Sequence, residues 1–373
     1  MAETIGAKVL CFNSRKNPLQ DILGLNASPN TIDELLSTDL IIATAFQTKD
    51  NPIIQLKLRM AAEKGAKVIL INPEGFEQGH FEFAHEEIYT SNDTQFLKEV
   101  AKAIIDSGKA KTVFGIEKLE KSLKDIKVSV KAQEVADLYL GAKKAMITYM
   151  QNFASEETAA LLGNIALLSG HIGSPRDGIL LIRPKNNSQG LVDMGIVEGQ
   201  EAMKGVKGLI VFGEDPESKM LKNLEFLAVS DTHMTETAAK ADVVLPANGF
   251  ASTEGTFTNT ERRLMPVEAA TDEGLLFENW ELAGEIAHVF ERDFWFDSLE
   301  DISNEMDDTM SIYKYSVVGE VMGGVLSPSE PKLAIPKKKA KMVVPKKSTD
   351  NLMNTIISRL PQPVSPTASS GLK

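Results

Sequence analysis

A strand–helix–strand run from Asp39 to Pro73 constrains the fold of this chain more than any other part of its sequence. It begins with the apolar segment DLIIATA, continues with PIIQLKLRMAAEKG, where apolar residues recur at helical spacing, and ends with AKVILINP. Gly65 is a typical helix end, and Pro73 stops the second strand. Elements of these lengths form a right-handed crossover in a parallel sheet. The run therefore predicts an α/β fold.

The second half of the chain repeats this design. AMITYM is predicted to begin a second unit as a strand, and the helix SEETAALLGNIALLSG follows it. Three more strands are predicted in GLIVFGED, EFLAVSD and DVVLPA. The fold class is thus two Rossmann-like parallel-sheet domains followed by a Lys/Pro-rich tail without a core of its own. The predicted boundaries are 1–140 for the first domain, 141–310 for the second and 311–373 for an extended or disordered basic tail.

Charge is distributed unevenly along the chain. The net charge is −12, but residues 331–373 carry nine Lys or Arg and one Asp, or +8, which leaves −20 on the first 330 residues. An acidic body argues against nucleic acid as the main ligand, because phosphate contacts need cationic surface. We expect the basic tail to dock on an acidic partner. Nucleic acid, a membrane surface or simple solvation are the alternatives.

Targeting signals and metal-binding patterns are weak. No apolar run approaches the roughly 20 residues that span a bilayer, and the N-terminus lacks a signal-peptide pattern, so we expect a cytoplasmic protein with no transmembrane segment. The single cysteine, Cys11, excludes a disulfide within the chain and a self-contained Cys-ligated zinc or iron–sulfur site. His80 and His85 are the only neighbouring histidines. We therefore expect no metal site.

Polar segments follow most of the predicted strands. In open parallel sheets, ligands bind outside the carboxyl ends of the strands, near helix N-termini. The segment STEGTFTNTERR, Ser252 to Arg263, is the richest of these, with hydroxyl and amide side chains, a glycine and two arginines. Position alone leaves two interpretations open, a ligand-binding loop and a solvated connection.

Four groups of motifs occur in one order with family-like spacing. They are GNIALLSGHIGSPRDGI with IRPKNNSQGLVDMG, then LIVFGEDPESK, then SDTHMTETAAKADVVLP, then STEGTFTNTERR. Together they resemble the molybdopterin oxidoreductase superfamily, especially formate dehydrogenases. They also resemble the large iron–sulfur subunit of NADH–quinone oxidoreductase. The resemblance covers roughly residues 1–310.

This resemblance implies two molybdopterin guanine dinucleotides, one for each pseudo-symmetric domain, in intact family members. Backbone N–H groups at helix starts would receive phosphates, and a strand-end acid would take ribose or guanine donors. Arg262 and Arg263 would either bind a phosphate or form structural ion pairs. By resemblance, one cofactor is lined by Gly213, Glu214 and Asp215, and its guanosine meets Asp231. The pterin is approached by Thr253, Gly255, Thr256 and Asn259. Another wall of the site is formed by Asn186, Asn187 and Gln189.

The first half-site departs from the family pattern. In the family, its first strand ends in a Gly-Ser-Asn type turn. Here the strand ends in Ala43, Thr44 and Ala45, so a Cβ lies where the glycine of the family would let a ligand approach the backbone. Its second strand ends in Asn72, Pro73 and Glu74 instead of Asp-Pro-Arg. Glu74 replaces a cation by an anion, which would repel a pyrophosphate. The sequence therefore predicts a broken first half-site.

The metal-ligand position also departs from the pattern. Catalytic family members carry a Cys or selenocysteine soon after an arginine, followed by a histidine. Alignment on Arg15 places Asn17 and Pro18 in those positions. The chain is further expected to lack the family's N-terminal iron–sulfur module and its C-terminal capping domain, with MAET and the basic tail as natural ends.

These departures favour a non-catalytic scaffold subunit of a multi-subunit electron-transfer complex, linked to NADH or formate. No cofactor is then expected in this chain, and FAD or FMN and iron–sulfur clusters would lie on partner subunits that bind flavin, NAD(P) and clusters. One alternative is a part of a split formate dehydrogenase-like enzyme that binds molybdopterin guanine dinucleotide. The other is a stand-alone nucleotide-binding module.

Overall fold

The structure is a computed structural model of the 373-residue chain. Arg15, on which the metal-ligand alignment depends, and His80 lie outside the residues that it describes. The described residues are 1–12, 17–47, 50–75, 81–174, 176–197, 199–271, 277–292, 295–314, 316–322 and 331–336.

A five-stranded parallel sheet forms the centre of the fold. Its strand order is β3-β2-β1-β4-β5, and every neighbouring pair runs parallel. The predicted crossover is confirmed, since the first two strands pair directly and a helix connects them. The strands are β1 (Leu40–Thr44), β2 (Lys67–Pro73), β3 (Glu86–Thr90), β4 (Ala145–Met150) and β5 (Gly178–Ile182).

Helices cover both faces of this sheet. Because side chains alternate along a strand, Ile42 faces one core cluster while Ile41 and Ala43 face the other. The larger cluster lies against α1, α3, α4, α5 and α6, and the smaller one lies against α2. The sheet is therefore buried on both sides, as all-parallel sheets are. The helices are α1 (Leu19–Leu23), α2 (Pro52–Glu63), α3 (Asp93–Asp106), α4 (Ile116–Leu123), α5 (Val130–Gly141) and α6 (Glu156–Ser169).

A smaller parallel sheet and a hairpin follow. The three strands of the second sheet lie in the order β6-β7-β8, with the predicted parallel direction. Two further helices lie between Asn279 and Thr309 in the described part of the chain. The elements are α7 (Ser188–Asp193), β6 (Gly208–Phe212), β7 (Phe226–Asp231), β8 (Val243–Pro246), the hairpin strands β9 (Gly255–Thr258) and β10 (Leu264–Val267), α8 (Asn279–Val289) and α9 (Leu299–Thr309).

Two elements differ from the expectation. The strand Ala145–Met150 was expected to begin the second unit, but it pairs with β1 in the first sheet, with Leu40 opposite Ala145. All six of its residues are buried, which suits a central strand. The segment Ser252–Arg263 was expected to be a loop, yet it forms β9 and the turn of an antiparallel hairpin. The predicted domain boundaries themselves stay predictions.

Parts of the predicted tail are folded against the body. Tyr313 is buried and its hydroxyl lies 2.8 Å from that of Thr258. Val321 forms an isolated bridge with Arg263, and Leu333 is buried in the larger core cluster. Residues 337–373 lie outside the described part of the chain. No helix within the described part is long and apolar enough to cross a membrane.

Candidate functional site

A buried arginine lies where the chain leaves β5, at the carboxyl end of the five-stranded sheet. Arg183 is 5% exposed, and its Nε donates to Gln189 Oε1 at 2.7 Å. Its Nη1 donates to Gln151 Oε1 at 3.0 Å, and its Nη2 donates to the carbonyl oxygen of Asn26 at 2.8 Å. All three acceptors are neutral. Burial lowers the pKa of Arg183 to about 10, so the guanidinium remains charged at neutral pH.

A second buried cation lies beside it. Arg262 Nη2 is 2.7 Å from Asp193 Oδ1, and the side chain of Asp193 is 1% exposed. Gln189 Nε2 donates to the same carboxylate at 2.9 Å, so Gln189 connects the two arginines. Burial raises the pKa of Asp193, although Arg262 opposes this shift. Asp193 Oδ2 and Arg262 Nε have no hydrogen-bond partner among the described residues.

The hairpin turn directs Arg262 toward this cluster. Asn259 Oδ1 accepts hydrogen bonds from the backbone N–H groups of Glu261 at 3.0 Å and Arg263 at 2.9 Å. Arg262 has a φ of +57°, a left-handed conformation that is uncommon outside glycine. Arg263 Nε donates to Glu261 Oε1 at 2.8 Å. The ion pairs that the sequence offered as one interpretation of Arg262 and Arg263 are therefore present.

A narrow cleft opens beside Arg183. Its volume is about 10 Å³, which is roughly the space that one water molecule requires. The lining combines the guanidinium with a thiol, an amide and a hydroxyl on one side and apolar side chains on the other. The lining residues are Cys11, Gln151, Arg183, Pro184, Ser188, Leu191, Val192 and Ile196.

Asn187 Oδ1 accepts from the backbone N–H of Thr258 at 2.9 Å, which holds β9 against the start of α7. Asn186 is exposed and its Oδ1 accepts from the N–H of Asn187. Thr253 Oγ1 donates to the carbonyl oxygen of Gly249 at 3.1 Å. Gly255, with a φ of +134°, and the exposed Thr256 lie on β9, outside the buried cluster.

Four predicted residues lie at the carboxyl ends of β6 and β7. Gly213 is exposed with a φ of +59°, and Glu214 pairs with Lys185 at 2.7 Å. Asp215 Oδ1 accepts from Thr237 N at 3.0 Å and Thr237 Oγ1 at 2.6 Å. Asp231 Oδ1 accepts from the N–H of His233 at 3.2 Å. The Lys185–Glu214 pair links this edge to the segment that carries Arg183.

The altered residues of the first half-site are largely buried. Ala45 has a φ of +51° and is fully buried, as is Phe46. Asn72 Oδ1 accepts from the N–H of Phe46 at 3.0 Å, while its Nδ2 has no partner among the described residues. Glu74 is exposed at the end of β2. Here the protein's own side chains fill the edge of the sheet.

Asn17, aligned with the metal-ligand position, is bound within the fold. Its Oδ1 accepts from the N–H of Leu19 at 3.2 Å and from the hydroxyl of Tyr149 at 3.3 Å. It is 5% exposed, and its Nδ2 has no partner among the described residues. Pro18 directly precedes α1 as its N-cap. In the described part of the chain, no group of three or more His, Cys, Asp and Glu side chains could hold a metal ion.

The residues present fit the family's dinucleotide cofactor unequally. At the three-stranded sheet they fit, because a Cβ built on Gly213 would meet no atom within 4 Å, which leaves room for close approach to the backbone. The same holds for Gly255 on the hairpin strand β9. At the five-stranded sheet they do not fit. Ala45 and Phe46 fill the strand end there, and Glu74 adds a negative charge.

Sequence reasoning missed the centre of the site. Arg183 lies within the quoted motif IRPKNNSQG but was not predicted to be a site residue. Gln151 and Asn26, which hold its guanidinium, are 32 and 157 positions away in the chain. The one available signal was a charged residue directly after an apolar run that ends at Ile182. Buried charges of that kind are rare and need several partners.

Comparison with known proteins gives relatives of one kind. The model of the family described as Molybdopterin oxidoreductase matches residues 2–288. The chain is 27% identical to the F420-dependent formate dehydrogenase subunit alpha of Methanocaldococcus jannaschii, over 78% of this chain and 53% of the relative. It is 26% identical to formate dehydrogenase H of Escherichia coli, over 77% of this chain and 50% of that protein. The chain thus spans about half the length of these relatives.

A solved structure shares the fold. It is the formyltransferase/hydrolase complex (FhcABCD) from Methylorubrum extorquens, with a TM-score of 0.51 at 15% identity, covering 73% of this chain and 81% of the matched chain. The NADPH-Fe(3+) oxidoreductase subunit alpha of Geobacter sulfurreducens is 23% identical over 74% of this chain and 40% of its own length. The family match over most of the chain, together with these relatives, shows that this chain belongs to the molybdopterin oxidoreductase family.

Proposed function

We propose that this chain is a non-catalytic, molybdopterin-oxidoreductase-like scaffold subunit of a multi-subunit electron-transfer complex linked to NADH or formate. Flavin and iron–sulfur clusters would lie on partner subunits. The observation that carries the proposal is the filled edge of the five-stranded sheet. Ala45, Phe46 and Asn72 are buried there and hydrogen-bonded or packed within the fold, where the family pattern leaves room for a pyrophosphate.

The position aligned with the metal ligand supports the same conclusion. The family's thiolate or selenolate at this position is an anionic ligand, whereas an amide side chain offers only a weak neutral oxygen. In Asn17, that oxygen already accepts hydrogen bonds from Leu19 and Tyr149. Pro18, aligned with the family's histidine, has no side-chain group that could donate or accept a proton.

The size of the cleft at Arg183 is a further argument. Small-molecule sites in proteins are typically about 300–1,000 Å³ in volume. The cleft at Arg183 has about 10 Å³ of space. Since Gln189, Gln151 and Asn26 already bind the guanidinium, a pterin would have to displace these partners. The cluster is better suited to joining α7, β5 and the hairpin.

One observation favours the split-enzyme alternative. The open space above Gly213 is suited to a nucleotide-bearing cofactor at the three-stranded sheet. In that case a separate polypeptide would supply the thiolate or selenolate and the clusters. The two proposals differ in one measurable property, the amount of cofactor that is bound per chain.

Elemental analysis of the natively purified complex tests the proposal. The affinity-tagged chain is isolated with its partners, and molybdenum, tungsten and oxidised-pterin fluorescence are measured per chain. We expect substoichiometric metal and no fluorescent pterin, with flavin- and cluster-bearing subunits present. About one metal and one pterin per chain would establish the split enzyme instead. A chain that purifies alone would contradict both and favour the stand-alone module.

A matched pair of variants checks any cofactor that is found. Gly213→Asn places a side chain over the open edge, and Asn tolerates the left-handed backbone that Gly213 adopts. Gly205→Asn makes the same change at φ +80°, where a Cβ also meets no atom within 4 Å, near the opposite end of β6. A cofactor bound at the predicted edge would be lost in the first variant and retained in the second. Equal retention would place the cofactor elsewhere.

A further inference from the structure

Residues 331–336, Pro-Lys-Leu-Ala-Ile-Pro, lie in a groove that we call the tail groove, formed by α1, the start of α4, and α6. The backbone N–H of Lys332 donates to the carbonyl oxygen of Ile22 at 3.1 Å. The N–H of Leu333 donates to the carbonyl oxygen of Phe114 at 3.0 Å. Phe114 and Lys332 also form a parallel bridge. The body therefore binds this segment through its backbone, as in β-strand addition.

A buried amide completes the backbone recognition. Asn164 lies on α6 and is fully buried. Its Nδ2 donates to the carbonyl oxygen of Ala334 at 2.8 Å, and its Oδ1 accepts from the N–H of Ala334 at 2.8 Å. An amide in an apolar core is costly unless it is hydrogen-bonded. Asn164 thus requires an extended backbone in the groove, and it makes no demand on the side chain there.

A pocket for one side chain supplies the specificity. Leu333 is 6% exposed and belongs to the larger core cluster, whereas Ile335, two residues later, is 47% exposed. Gly115 lies against the segment with a φ of +95°, and a Cβ there would lie 3.5 Å from the carbonyl oxygen of Leu333. The pocket therefore takes an apolar residue one position before the residue that Asn164 binds.

We propose that the tail groove is a receptor for an extended apolar peptide, with residues 331–336 as its resident occupant, and that it acts as a detachable dock for the tail. Proline lacks an N–H, so Pro331 and Pro336 confine the hydrogen-bonded pairing to the residues between them. The following stretch 337–347 contains six lysines and no acidic residue. The dock would determine the point on the acidic body at which this cationic stretch begins. It does not depend on the proposed redox role.

Peptide binding to the full-length chain tests the dock. The variant Leu333→Asp places a charge in the apolar pocket and should release the chain's own segment. A fluorescein-labelled, end-blocked peptide of residues 331–336 is then titrated, and anisotropy is measured. We expect saturable binding to the variant and at least about tenfold weaker binding to the wild-type chain, whose own segment competes at high effective concentration. Equal binding to both chains, or binding to neither, would overturn the proposal.

Two controls separate docking from general folding. The peptide with Leu333→Asp should lose binding, while the peptide with Ile335→Ala should keep it, because Ile335 is half exposed. If the full-length Leu333→Asp chain is unfolded by circular dichroism, hydrogen exchange of Leu333→Ala replaces the titration. Loss of amide protection confined to residues 331–336 and their contacts would support a detachable dock. Loss of protection throughout the first sheet would show an integral part of the core and contradict it.

Discussion

Two buried aspartates at opposite ends of the five-stranded sheet differ in how completely they are satisfied. Asp177, next to the start of β5, accepts from Lys144 Nζ at 2.5 Å, Ser174 Oγ at 3.0 Å and the N–H of Ala145 at 3.0 Å, and it lies 2.8 Å from His171 Nδ1. Burial opposes its ionisation, but Lys144, His171 and the other donors outweigh it and hold the pKa of Asp177 below its usual value.

Asp193, at the carboxyl end of the same sheet, is bound through one oxygen only. Gln189 and Arg262 donate to Oδ1, while Oδ2 is buried without a partner among the described residues. Unpartnered buried atoms also occur in Asn17, Asn72 and Arg262 at this end, and in Asn30, which donates to the carbonyl oxygen of Ser174, at the Asp177 end. Incompletely satisfied polar groups are typical of functional sites and are rare in purely structural clusters. Of the two carboxylates, Asp177 is therefore the one whose hydrogen-bonding capacity the fold satisfies more completely.

Removal of the cation that contacts each aspartate should give the largest difference in the free energy of unfolding. Arg262→Met leaves a carboxylate that is 1% exposed with no cation in contact, which costs about 3–5 kcal/mol in the free energy of unfolding. Lys144→Met should cost about 1 kcal/mol, because Asp177 keeps its three other donors. Urea denaturation of both variants measures the difference. Equal losses would show that the two clusters are equivalent.

A double variant sharpens this result. Asp193→Leu combined with Arg262→Met removes both charges and should recover most of the loss of the single variant, because buried ion pairs are often replaceable by apolar pairs. If the double variant is no more stable than Arg262→Met alone, then Arg262 stabilises the hairpin through contacts other than Asp193.

The pH dependence of stability that each aspartate contributes should have the opposite sign to that of the other. The folded pKa of Asp177 is lowered, so its contribution to stability is present above about pH 4 and is lost as the pH falls through the folded pKa. Asp177→Asn should therefore flatten the loss of stability below about pH 4. The folded pKa of Asp193 is raised by burial, so its ionisation opposes folding. Asp193→Asn should remove the gain in stability that the wild type shows as the pH falls through this raised pKa toward about pH 4.

Chemical denaturation at several pH values measures both slopes. The two variants should deviate from the wild type in different pH ranges and with opposite signs. A deviation of the same sign in both would mean that the environment of Asp193 stabilises its charged form, as that of Asp177 does.

The sequence predicted the regular elements of this molecule better than its site. The strand–helix–strand run from Asp39 to Pro73 is a local pattern, and it forms β1, α2 and β2 as predicted. The membership of β4 in the first sheet was not predictable in this way, because a mostly apolar strand such as Ala145–Met150 suits the centre of any parallel sheet. β3 was missed because its sequence, EEIYT, is not an apolar run, and β5 was missed although its sequence, GILLI, is one.

The site depends on contacts between distant parts of the chain. Asn26, Gln151 and Gln189 meet around Arg183 only once the sheet and α7 have formed. Each of these residues, read alone, is an ordinary polar residue. The resemblance to a family found Gln189 and Arg262 through their motifs, and it gave no account of their hydrogen bonds. What they bind in the assembled protein stays a prediction.

Glycine substitutions at the three-stranded sheet should change stability less than the aspartate variants do. Gly213→Ala should cost about 1 kcal/mol, because a residue with a side chain is strained at a φ of +59° even where the added Cβ meets no atom within 4 Å. Gly208→Ala, at the start of β6 and equally open, should be neutral or slightly stabilising. Thermal melts of the two variants measure the difference. Equal effects would indicate that the turn after β6 relaxes freely.

The smallest effect is expected at Asp231, which tests why the second sheet keeps its polar edge. Asp231 is half-buried and its Oδ1 accepts one backbone N–H, from His233 at 3.2 Å. Asp231→Ala should lower the free energy of unfolding by about 0.5 kcal/mol, since water can replace a bond at this exposed edge. A loss of about 2 kcal/mol or more would show that the turn requires this carboxylate, and the residue would then be structural in the same sense as Asp177. With the small loss, stability does not explain the aspartate, and a bound ligand or a partner subunit at this edge becomes the stronger explanation.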